Sequence, residues 1–546
     1  MVTSKLSINN TIILCAGKID YTRLPIGSHQ SNATIPINGK PVISWILDDL
    51  IRKEIEKVTV VIRAENKKLR EVLENHYHKR MDIVIAEVDN PQSIIDSLMA
   101  GIQYTDTNKG TRLILGDTLI YDDYNRYDDF VYTSQVVDSE NWCIAETNAD
   151  NAIVSLTDKK VFKGESFTAL CGYYSFTDTT LLKNCVEQAK QQGSRELSNV
   201  LIAYNAAHPL KAIQAQDWFD FGHMETFIAS KKSLLRPRHF NQLVIHPLYN
   251  TITKVSENND KLADELNWYL LLPEELQILT PRILKKETSD GKISITQEFY
   301  GYPSLSELYV YGDLSLSVWK SIVNYLFDIH KLFLTHTQPA IAADCRDIYL
   351  IKTLKRIDSL QQQNSYWKQV WAYNEVIVNG KKLHNYNYLL EKFKNKIEAL
   401  CNIENFTIVH GDYCLSNILY DVNNQIVRLI DPRGSFGAKG VYGDPRYDVA
   451  KLRHSISGCY DYIVGDLFYV ENEGNTFTYS IFNNPNTEDL AIHLDKQIAE
   501  SGYSIEDIKL IEGLLFLSML PYHADYFERQ QMMYLQGLFI LNELCD

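Results

Sequence analysis

The sequence predicts an α/β domain with a parallel sheet, followed by an α+β domain whose second part is mainly helical. Strand-like apolar runs alternate with helical patterns through about the first two hundred residues. A basic segment with a proline, "SKKSLLRPRHF" at residues 230–240, ends this alternation, as is typical of a domain junction. A few strand-like pieces and then long helical patterns follow. At 546 residues the chain is also too long for one hydrophobic core.

The predicted elements of the first domain come in strand–helix–strand order. The strand-like runs and the helical segments between them are, in chain order, "NTIILCAG", "PVISWILDDLIRKEI", "KVTVVIR", "KKLREVLENHYHKR", "DIVIAEV", "SIIDSLMAGIQY" and "TRLILGD". This order predicts parallel strands that are covered by helices on both faces. Ligands of such sheets bind beyond the carboxyl ends of the strands, where Gly17 and the pair Gly116-Asp117 stand.

The domain boundaries follow from the same patterns. We expect a first domain at residues 1–230 and a second at residues 231–546. Two strand-like pieces, "NQLVIHPLYNTITKV" and "KISITQEFY", flank the helical "DKLADELNWYLLL" and predict a small lobe at about residues 236–305. A large, mainly helical lobe is expected at about residues 306–546.

The composition narrows the class of protein. A net charge of −15 argues against non-specific binding to nucleic acids or to anionic membranes. The nine cysteines, an odd number without a Cys-x-x-Cys pair, favour free thiols in a reducing compartment. The sequence shows neither the apolar core of a signal peptide nor an apolar run long enough to cross a membrane. We therefore expect a cytoplasmic protein, with an oligomeric state that the sequence leaves open.

The segment "FTIVHGDYCLSNILYD" places a carboxylate and an amide at a fixed offset in a loop. Asp412 and Asn417 follow one apolar run, and a later apolar run ends at Asp431 in "RLIDPRG". A hairpin would bring the ends of these runs side by side. Phosphoryl transfer from ATP needs a carboxylate that orients the attacking hydroxyl, together with oxygen ligands for Mg²⁺. The combination therefore points to a kinase site, although a lone His-Gly-Asp would be an ordinary turn.

These motifs resemble those of the choline kinase and aminoglycoside phosphotransferase family, which has a protein-kinase-like fold. The resemblance spans roughly residues 235–546. It implies that Asp412 is the catalytic base and that Asn417 and Asp431 hold Mg²⁺. In "GDPRYDVAKL" it implies that Asp448 makes structural hydrogen bonds.

The same resemblance implies the residues that bind ATP. Lys254 on a strand would hold the phosphates and pair with Glu265 on the following helix. The segment from Glu298 to Tyr300 would contact the adenine through its backbone. One departure is that the loop before Lys254, "VIHPLYNT", contains no glycine, so its backbone is less free to wrap closely around phosphates.

Residues 11–230 resemble the sugar-phosphate nucleotidyltransferases, through "LCAGKIDYTRLP", "NGKPVI", "LILGD" and "AQDWFDFGHMETFIAS". The resemblance implies that Gly17, Thr22 and Arg23 form the phosphate-binding loop and that Arg23 neutralises the leaving pyrophosphate. It implies that Asp117 and Asp220 share one Mg²⁺. Nucleotidyl transfer joins two polyanions, so cations in these places suit the chemistry.

The first domain also departs from its family. Tyr21 stands where the family has glycine, and the family's phosphate-binding lysine falls on Asn32 or its neighbours. No lysine lies between Lys18 and Lys40, either of which is a candidate substitute. The loss of such a lysine would slow catalysis by roughly a hundredfold or more.

Three interpretations follow from these motifs. The leading one is a bifunctional enzyme that phosphorylates a small alcohol or sugar with ATP and then couples the phosphorylated product to a second nucleoside triphosphate. By resemblance, such enzymes supply precursors of capsule or lipopolysaccharide. The second is a kinase with a degenerate, non-catalytic transferase-like binding domain, and the third is a non-enzymatic scaffold.

The acceptor of the kinase remains open at this stage. Choline, ethanolamine, a sugar, a glycerol-like alcohol and a sugar acid all fit the motifs. The tyrosines of "PYHADYF" and "CYDYIV" would suit a choline pocket, because aromatic faces bind quaternary ammonium groups. The nucleotide base used by the first domain is also open.

Overall fold

The chain forms two compact units, Met1–Leu234 and Leu235–Asp546, and the division falls within the basic segment at residues 230–240. The computed structural model describes residues 8–18, 31–78, 80–124, 128–223, 226, 230–231, 233–234, 241–246, 248–256, 259–289, 291–312 and 314–545. Among these residues, no helix is both long and apolar enough to cross a membrane. All nine cysteines are free thiols.

The first unit contains a sheet and flanking helices. Its strands are β1 Ile8–Leu14, β2 Pro36–Ile37, β3 Lys40–Pro41, β4 Lys57–Arg63, β5 Asp82–Val88, β6 Gly110–Leu115, β7 Thr118–Ile120, β8 Phe130–Val136, β9 Cys143–Thr147, β10 Ile153–Asp158, β11 Phe167–Phe176, β12 Lys211–Gln214 and β13 Trp218–Asp220. Its helices are α1 Val42–Arg52, α2 Lys67–Glu71, α3 Ile94–Ile102, α4 Thr179–Gln191 and α5 Leu197–Ala207, with a 3₁₀ turn at Asn32–Thr34 and a π-helical turn at Val72–Tyr77.

The main sheet of this unit has the strand order β10-β9-β11-β6-β1-β4-β5, with β8 and β12 alongside β11. Strands β5, β4, β1 and β6 are parallel, as the alternating pattern predicts. Strand β11 runs antiparallel to β6, so the sheet is mixed. The reason is that the described residues between β6 and β11 form no helix that would carry the chain back in the parallel direction. Buried side chains from the parallel strands and from α3 and α4, such as Ile12, Val61, Leu98 and Leu182, form the core.

The second unit begins with strands and becomes mainly helical. Its strands are β14 Asn241–His246, β15 Thr251–Ser256, β16 Ile283–Ser289, β17 Lys292–Glu298, β18 Thr337–Pro339, β19 Glu375–Val378, β20 Lys381–His384, β21 Asn405–Ile408, β22 Ile418–Asp421, β23 Ile426–Leu429, β24 Ser435–Phe436, β25 Ala438–Lys439, β26 Tyr442–Gly443, β27 Phe468–Glu473 and β28 Thr476–Ile481.

The helices of the second unit include most of the residues beyond 305. They are α6 Asn259–Leu271, α7 Glu274–Gln277, α8 Leu305–Tyr311, α9 Leu316–Leu334, α10 Ala342–Arg346, α11 Lys352–Gln363, α12 Ser365–Ala372, α13 Tyr386–Leu400, α14 Pro445–Ile456, α15 Tyr460–Val464, α16 Thr487–Glu500, α17 Ile505–Met519 and α18 Phe527–Glu543. Shorter turns lie at Asp347–Ile351 (π-helical), Leu415–Asn417 and Leu520–His523 (both 3₁₀).

The sequence predicts one sheet of the second unit and misses another. The antiparallel sheet β14-β15-β17-β16 contains both predicted strand segments, and the helix predicted between them is α6. A further sheet, β20-β19-β28-β27, lies in the part that the sequence predicts to be mainly helical. The signal for it is the Asn379-Gly380 pair between β19 and β20, where both residues have positive φ (48° and 78°), as a two-residue hairpin turn requires.

Gly434 is fixed by close packing against α6. Its φ is +66°, and a Cβ atom there would lie 2.1 Å from the backbone oxygen of Asp264. Gly474, in the turn between β27 and β28, has a similar φ of +61° but open space around it. The pair therefore separates the cost of backbone conformation from the cost of a steric clash.

We expect Gly434→Ala to lower the thermal unfolding midpoint of the second unit more than Gly474→Ala. Both variants lose about 1–2 kcal/mol because an L-residue is strained at positive φ. Only Gly434→Ala adds a collision with backbone, which costs about 1–3 kcal/mol more. Calorimetric scans of the full chain measure both effects. Equal midpoints for the two variants would contradict the close packing of Gly434 on α6.

Candidate active sites

The hairpin β22–β23 brings two candidate metal ligands of the second unit together. Ile418 pairs with Leu429, and the amide of Ile430 donates to the carbonyl of Asn417 over 3.0 Å. Asn417 and Asp431 therefore stand at the same end of the hairpin, as the sequence predicts. Their role as metal ligands remains a prediction.

Asp448 holds the loop that carries Asp412 through hydrogen bonds to its backbone. The backbone amides of His410 and Gly411 donate to the two carboxylate oxygens of Asp448, over 2.7 and 2.9 Å. This confirms the predicted structural hydrogen bonds of Asp448. Gly411 has a φ of +76°, which lets the chain turn sharply just before Asp412.

The Asp412 carboxylate is oriented by two neighbours. Asn417 donates its amide to the carbonyl and to Oδ2 of Asp412, over 3.0 Å in each case. The ammonium of Lys451, on α14, lies 2.9 Å from Oδ1. Burial alone would raise the pKa of Asp412, but the Lys451 ammonium holds that pKa well below its usual range. The carboxylate is therefore ionised and suited to accept a hydrogen bond from a substrate hydroxyl.

Lys254 connects the small lobe to Asp431. Its ammonium lies 2.7 Å from Oε1 of Glu265 and also bonds to the carboxylate of Asp431. Burial alone would lower the pKa of Lys254, but the Asp431 and Glu265 carboxylates raise it well above its usual value. The order of Lys254 and Glu265 in the sequence thus corresponds to an ion pair. Their contact with nucleotide phosphates remains a prediction.

The predicted adenine-binding segment is already partly hydrogen bonded. The carboxylate of Glu298 lies 2.7 Å from the guanidinium of Arg282 and accepts a hydrogen bond from the Tyr300 hydroxyl. The amide of Glu298 donates to the Arg282 carbonyl, and the amide of Phe299 donates to the Asn250 carbonyl. The amides of Glu298 and Phe299 are therefore engaged within the protein, and the adenine contact of this segment remains a prediction.

In the first unit, Asp117 and Asp220 converge on one point. Strands β7 and β13 pair so that Asp220 lies opposite Thr118, and the Phe221 amide donates to the Asp117 carbonyl over 2.9 Å. A Cβ atom at Gly222 would lie 3.0 Å from Oδ2 of Asp117 and 3.4 Å from Oδ1 of Asp220. The two carboxylates therefore flank a space that only a glycine at position 222 leaves open.

The second carboxylate oxygen of Asp220 is bound within the protein. Oδ2 accepts from the His223 amide over 3.2 Å, lies 3.0 Å from the His223 ring and accepts from the Thr226 hydroxyl. Its hydrogen bond with Asp220 raises the pKa of His223. These contacts fix the carboxylate so that Oδ1 is turned toward Asp117. The space between the two aspartates therefore suits a cation.

The predicted phosphate-binding loop is described only at its ends. Thr22 and Arg23 lie outside the described residues. Gly17 is exposed after β1, and the guanidinium of Arg63 donates to the carbonyl of Ala16 over 2.7 Å. Lys18 is exposed and lies 3.7 Å from Glu65.

The place of the family's lysine holds a buried turn. Ala33 and Thr34 in the Asn32–Thr34 turn are buried. The ammonium of Lys40 bonds to Asp48 and lies 4.1 Å above the Trp45 ring, so its charge is tied to α1. Of the two substitutes expected from the sequence, Lys18 is therefore the better candidate.

Sequence reasoning missed several residues of both sites. Lys451 follows Asp412 by 39 positions, and only the fold brings their side chains together. In the first unit, Gly222 and His223 stand in the quoted segment "AQDWFDFGHMETFIAS", but nothing in their spacing indicates their contacts with Asp220. These signals depend on tertiary packing.

Comparisons with known proteins agree with both predicted families. Residues 10–236 match the family of nucleotidyl transferases, and residues 252–460 match the phosphotransferase enzyme family. The first unit thus has a mixed-sheet nucleotidyltransferase fold, and the second has the kinase-like fold of the phosphotransferases. Both matches are to families of enzymes that transfer phosphorus-containing groups.

Individual relatives match the first unit. The "Bifunctional protein GlmU" of Methanococcus maripaludis is 27% identical over 225 residues, which is 39% of this chain and 51% of that protein. This chain thus spans about half the length of such relatives. The "UTP--glucose-1-phosphate uridylyltransferase AglF" of Haloferax volcanii is 22% identical, over 39% of this chain and 91% of that protein. The solved UTP-bound UGPase of Acinetobacter baumannii is 11% identical over 42% of this chain and 95% of its own, with a TM-score of 0.37.

We expect Asp412→Asn to reduce ATP-dependent phosphorylation by roughly a hundredfold or more, because the variant loses the carboxylate that orients the hydroxyl. ATP affinity, measured by calorimetry, should stay close to that of the natural protein. Glu404→Gln, which neutralises an exposed carboxylate near β21, serves as the control and should retain full activity. Near-normal turnover by Asp412→Asn would show that another group orients the acceptor.

Proposed function

We propose that the chain is a bifunctional enzyme whose two units act in sequence on one small molecule. The second unit phosphorylates a hydroxyl with ATP, and the first couples the resulting phosphate to a nucleoside triphosphate. The observation that carries this proposal is that each unit assembles its own acidic site: Asn417 joins Asp412 to the hairpin end at Asp431 in one, and Asp117 lies near Asp220 in the other. The kinase product belongs to the class of acceptor that the transferase requires.

In the kinase step, Asp412 orients the hydroxyl of the substrate. The substrate hydroxyl donates a hydrogen bond to Asp412 while its oxygen attacks the γ-phosphorus of ATP. The bond from that phosphorus to the β,γ-bridging oxygen breaks, and ADP leaves. Because the transition state is loose, orientation and charge stabilisation contribute more than proton abstraction. The strongly acidic Asp412 is consistent with an orienting role. The proton of the substrate hydroxyl passes to solvent at the end of the step.

The transferase step uses the edge of the first sheet. A phosphate oxygen of the acceptor attacks the α-phosphorus of the nucleoside triphosphate, and pyrophosphate leaves. Gly17 and Lys18, together with Arg23 from the family resemblance, would line the phosphate path. Arg63 holds the carbonyl of Ala16 and so positions this loop.

Mg²⁺ fits both sites on the evidence of their donor sets. The gap at Gly222 lies between two carboxylate oxygens, and Asn417 commits its Nδ2 to Asp412, which leaves its amide oxygen for another ligand. The described residues contain no cluster of three or more His, Cys, Asp or Glu side chains around a cation site. Substrate phosphates and water would complete the coordination, as is usual for Mg²⁺, which would neutralise phosphate charge when bound.

The finer assignment is also a proposal. We infer that the product is an activated precursor of capsule or lipopolysaccharide, made in the cytoplasm where nucleoside triphosphates are available. The activity for which the Haloferax relative is named, uridylyl transfer to glucose 1-phosphate, supports a phosphorylated acceptor for the first unit. Incubation with Mg-ATP, each nucleoside triphosphate in turn and a panel of hydroxyl compounds, followed by mass spectrometry, tests this function. Absence of any phosphorylated or nucleotide-linked product would refute it.

A second candidate is a kinase with a transferase-like domain that only binds. The turn Asn32–Thr34, which holds no lysine and whose Ala33 and Thr34 are buried, favours it. The convergence of Asp117 and Asp220 favours turnover instead. The next experiment separates the two candidates.

Asp117→Asn should abolish nucleotidyl transfer, with a loss of roughly a hundredfold or more, and spare kinase turnover. The reason is that one of two carboxylates around the proposed cation is lost in the first unit only. Asp150→Asn, at an exposed turn of the same unit, is the matched control and should change neither activity. Separate assays of ADP and pyrophosphate release measure the two reactions. An equal loss of both would indicate one composite site, whereas no pyrophosphate release by the natural protein would favour the binding-only candidate.

A further inference from the structure

Basic side chains surround Asp412 on the side that faces the helical lobe. Lys451 lies 2.9 Å from the carboxylate. Arg433 follows the hairpin β22–β23, and its amide donates to the His410 carbonyl over 2.9 Å. Its guanidinium donates to the Tyr447 hydroxyl on α14 over 2.9 Å. Two cations thus already flank the carboxylate at the place where the transferred phosphoryl group would pass.

Two further cations come from α11. Lys352 is the first residue of this helix, directly after the π-helical turn at Asp347–Ile351, and Arg356 lies one turn later on the same face. Arg356 donates to the Ser518 carbonyl over 3.0 Å and to the Tyr522 hydroxyl over 2.7 Å. Both α11 and α14 pack against α17, which places their basic residues around one region.

Three of these four basic side chains have no salt bridge among the described residues. Among the described residues, Lys352, Arg356 and Arg433 form no salt bridge with a carboxylate, and Lys451 has Asp412 alone. Burial and the nearby charges of Arg433, Arg356 and Lys451 lower the pKa of Lys352 to about 6. Without a ligand, Lys352 is therefore largely uncharged at neutral pH, and a bound anion would supply the opposite charge that restores its ammonium.

Two tyrosine rings near this region are already covered by arginines of the protein. The guanidinium of Arg356 lies 4.6 Å from the ring centre of Tyr522, and that of Arg433 lies 5.7 Å from the ring centre of Tyr447. Tyr522, one of the two tyrosines of "PYHADYF" that would suit a choline pocket, is therefore engaged with arginine. A quaternary ammonium would meet repulsion here instead of an open aromatic cage.

We propose that the acceptor of the kinase is an anion: a small hydroxyl compound that also bears a carboxylate, phosphate or phosphonate group, bound by Lys352 and Arg356. This inference rests on the proposed kinase function and names its substrate class. Lys451 and Arg433, beside Asp412, are left to balance the charge of the transferred phosphoryl group. The hydroxyl then lies toward Asp412 and the anionic group toward α11. Such an acceptor excludes choline and ethanolamine.

A matched series of compounds, HO–CH₂–CH₂–X, tests the charge directly. X is phosphonate, carboxylate, ammonium or trimethylammonium, so that the hydroxyl and its spacer stay the same. Glycerol 3-phosphate, glycerate and glycerol form a second, longer set. Calorimetric titration in the presence of Mg²⁺ and a non-hydrolysable ATP analogue gives each affinity, and ADP release with Mg-ATP gives each rate.

We expect the anionic members to bind and the ammonium members not to bind. Comparison of carboxylate with phosphonate and phosphate members identifies which anion the site prefers. Lys352→Met and Arg356→Met should each weaken the binding of the anions by about tenfold or more, the loss of one charge-assisted hydrogen bond. ATP affinity should stay unchanged. Lys355→Met removes an exposed lysine from the same helix and should leave the affinity for the anions unchanged.

The outcomes separate this inference from the kinase proposal. Anion binding that depends on Lys352 and Arg356, without ADP release from ATP in the presence of any compound, supports the anion site and refutes the kinase. Phosphorylation of choline, ethanolamine or glycerol in preference to every anion keeps the kinase and overturns the anion site. Failure of every anion to bind, or binding that Lys352→Met and Arg356→Met leave intact, also overturns it.

Discussion

Both units have to bring carboxylates close to one another at a place where polyanionic phosphates must also bind. Like charges a few ångströms apart repel, so a cation or a hydrogen-bond donor has to offset the charge of a carboxylate pair. In the second unit Lys451 offsets Asp412, and Lys254 offsets Asp431. In the first unit the Asp220 oxygen that faces away from Asp117 is held by His223 and Thr226. The surrounding helices and strands position the cations and donors that offset these charges.

The two folds meet the requirement by different topologies. In the first unit, the parallel strands β1 and β6 end on one edge, and the short pair β7–β13 returns Asp220 to that edge after about a hundred residues. In the second unit, the hairpin β22–β23 sets Asn417 beside Asp431, while α14 contributes Lys451 from the helical lobe. Glycines allow the close approaches, at Gly222 between the two aspartates and at Gly434 against α6. Paired strands hold Asp220 and Asp431, and Asp448 on α14 holds the loop of Asp412, as positioning of phosphates requires.

The sequence predicts the parts of this structure that local pattern encodes. Alternating apolar strands and helical patterns predict the first unit, and the spacing of Asp412, Asn417 and Asp431 predicts the carboxylate–amide hairpin. The antiparallel return of β11 and the sheet β20-β19-β28-β27 are missed, because short strands paired across long separations leave weak periodicity. The cations Lys451, Lys352 and Arg356 are missed for another reason. A lysine or arginine on a helix is an ordinary surface residue in sequence, and only packing of α11 and α14 against α17 gathers them near Asp412.

The central claim is that two separate sites of one chain act in sequence on the same phosphate. The most direct measurement follows isotopic label from [γ-³²P]ATP in a reaction that contains the natural protein, Mg²⁺, an accepted hydroxyl compound and a second nucleoside triphosphate. The account predicts that the label passes first into the phosphorylated acceptor and then into the nucleotide-linked product, at the phosphate next to the acceptor. Treatment of that product with a phosphodiesterase should release labelled acceptor phosphate and unlabelled nucleotide. Label that stays in the phosphorylated acceptor, with no nucleotide-linked product from any nucleoside triphosphate, would contradict the account.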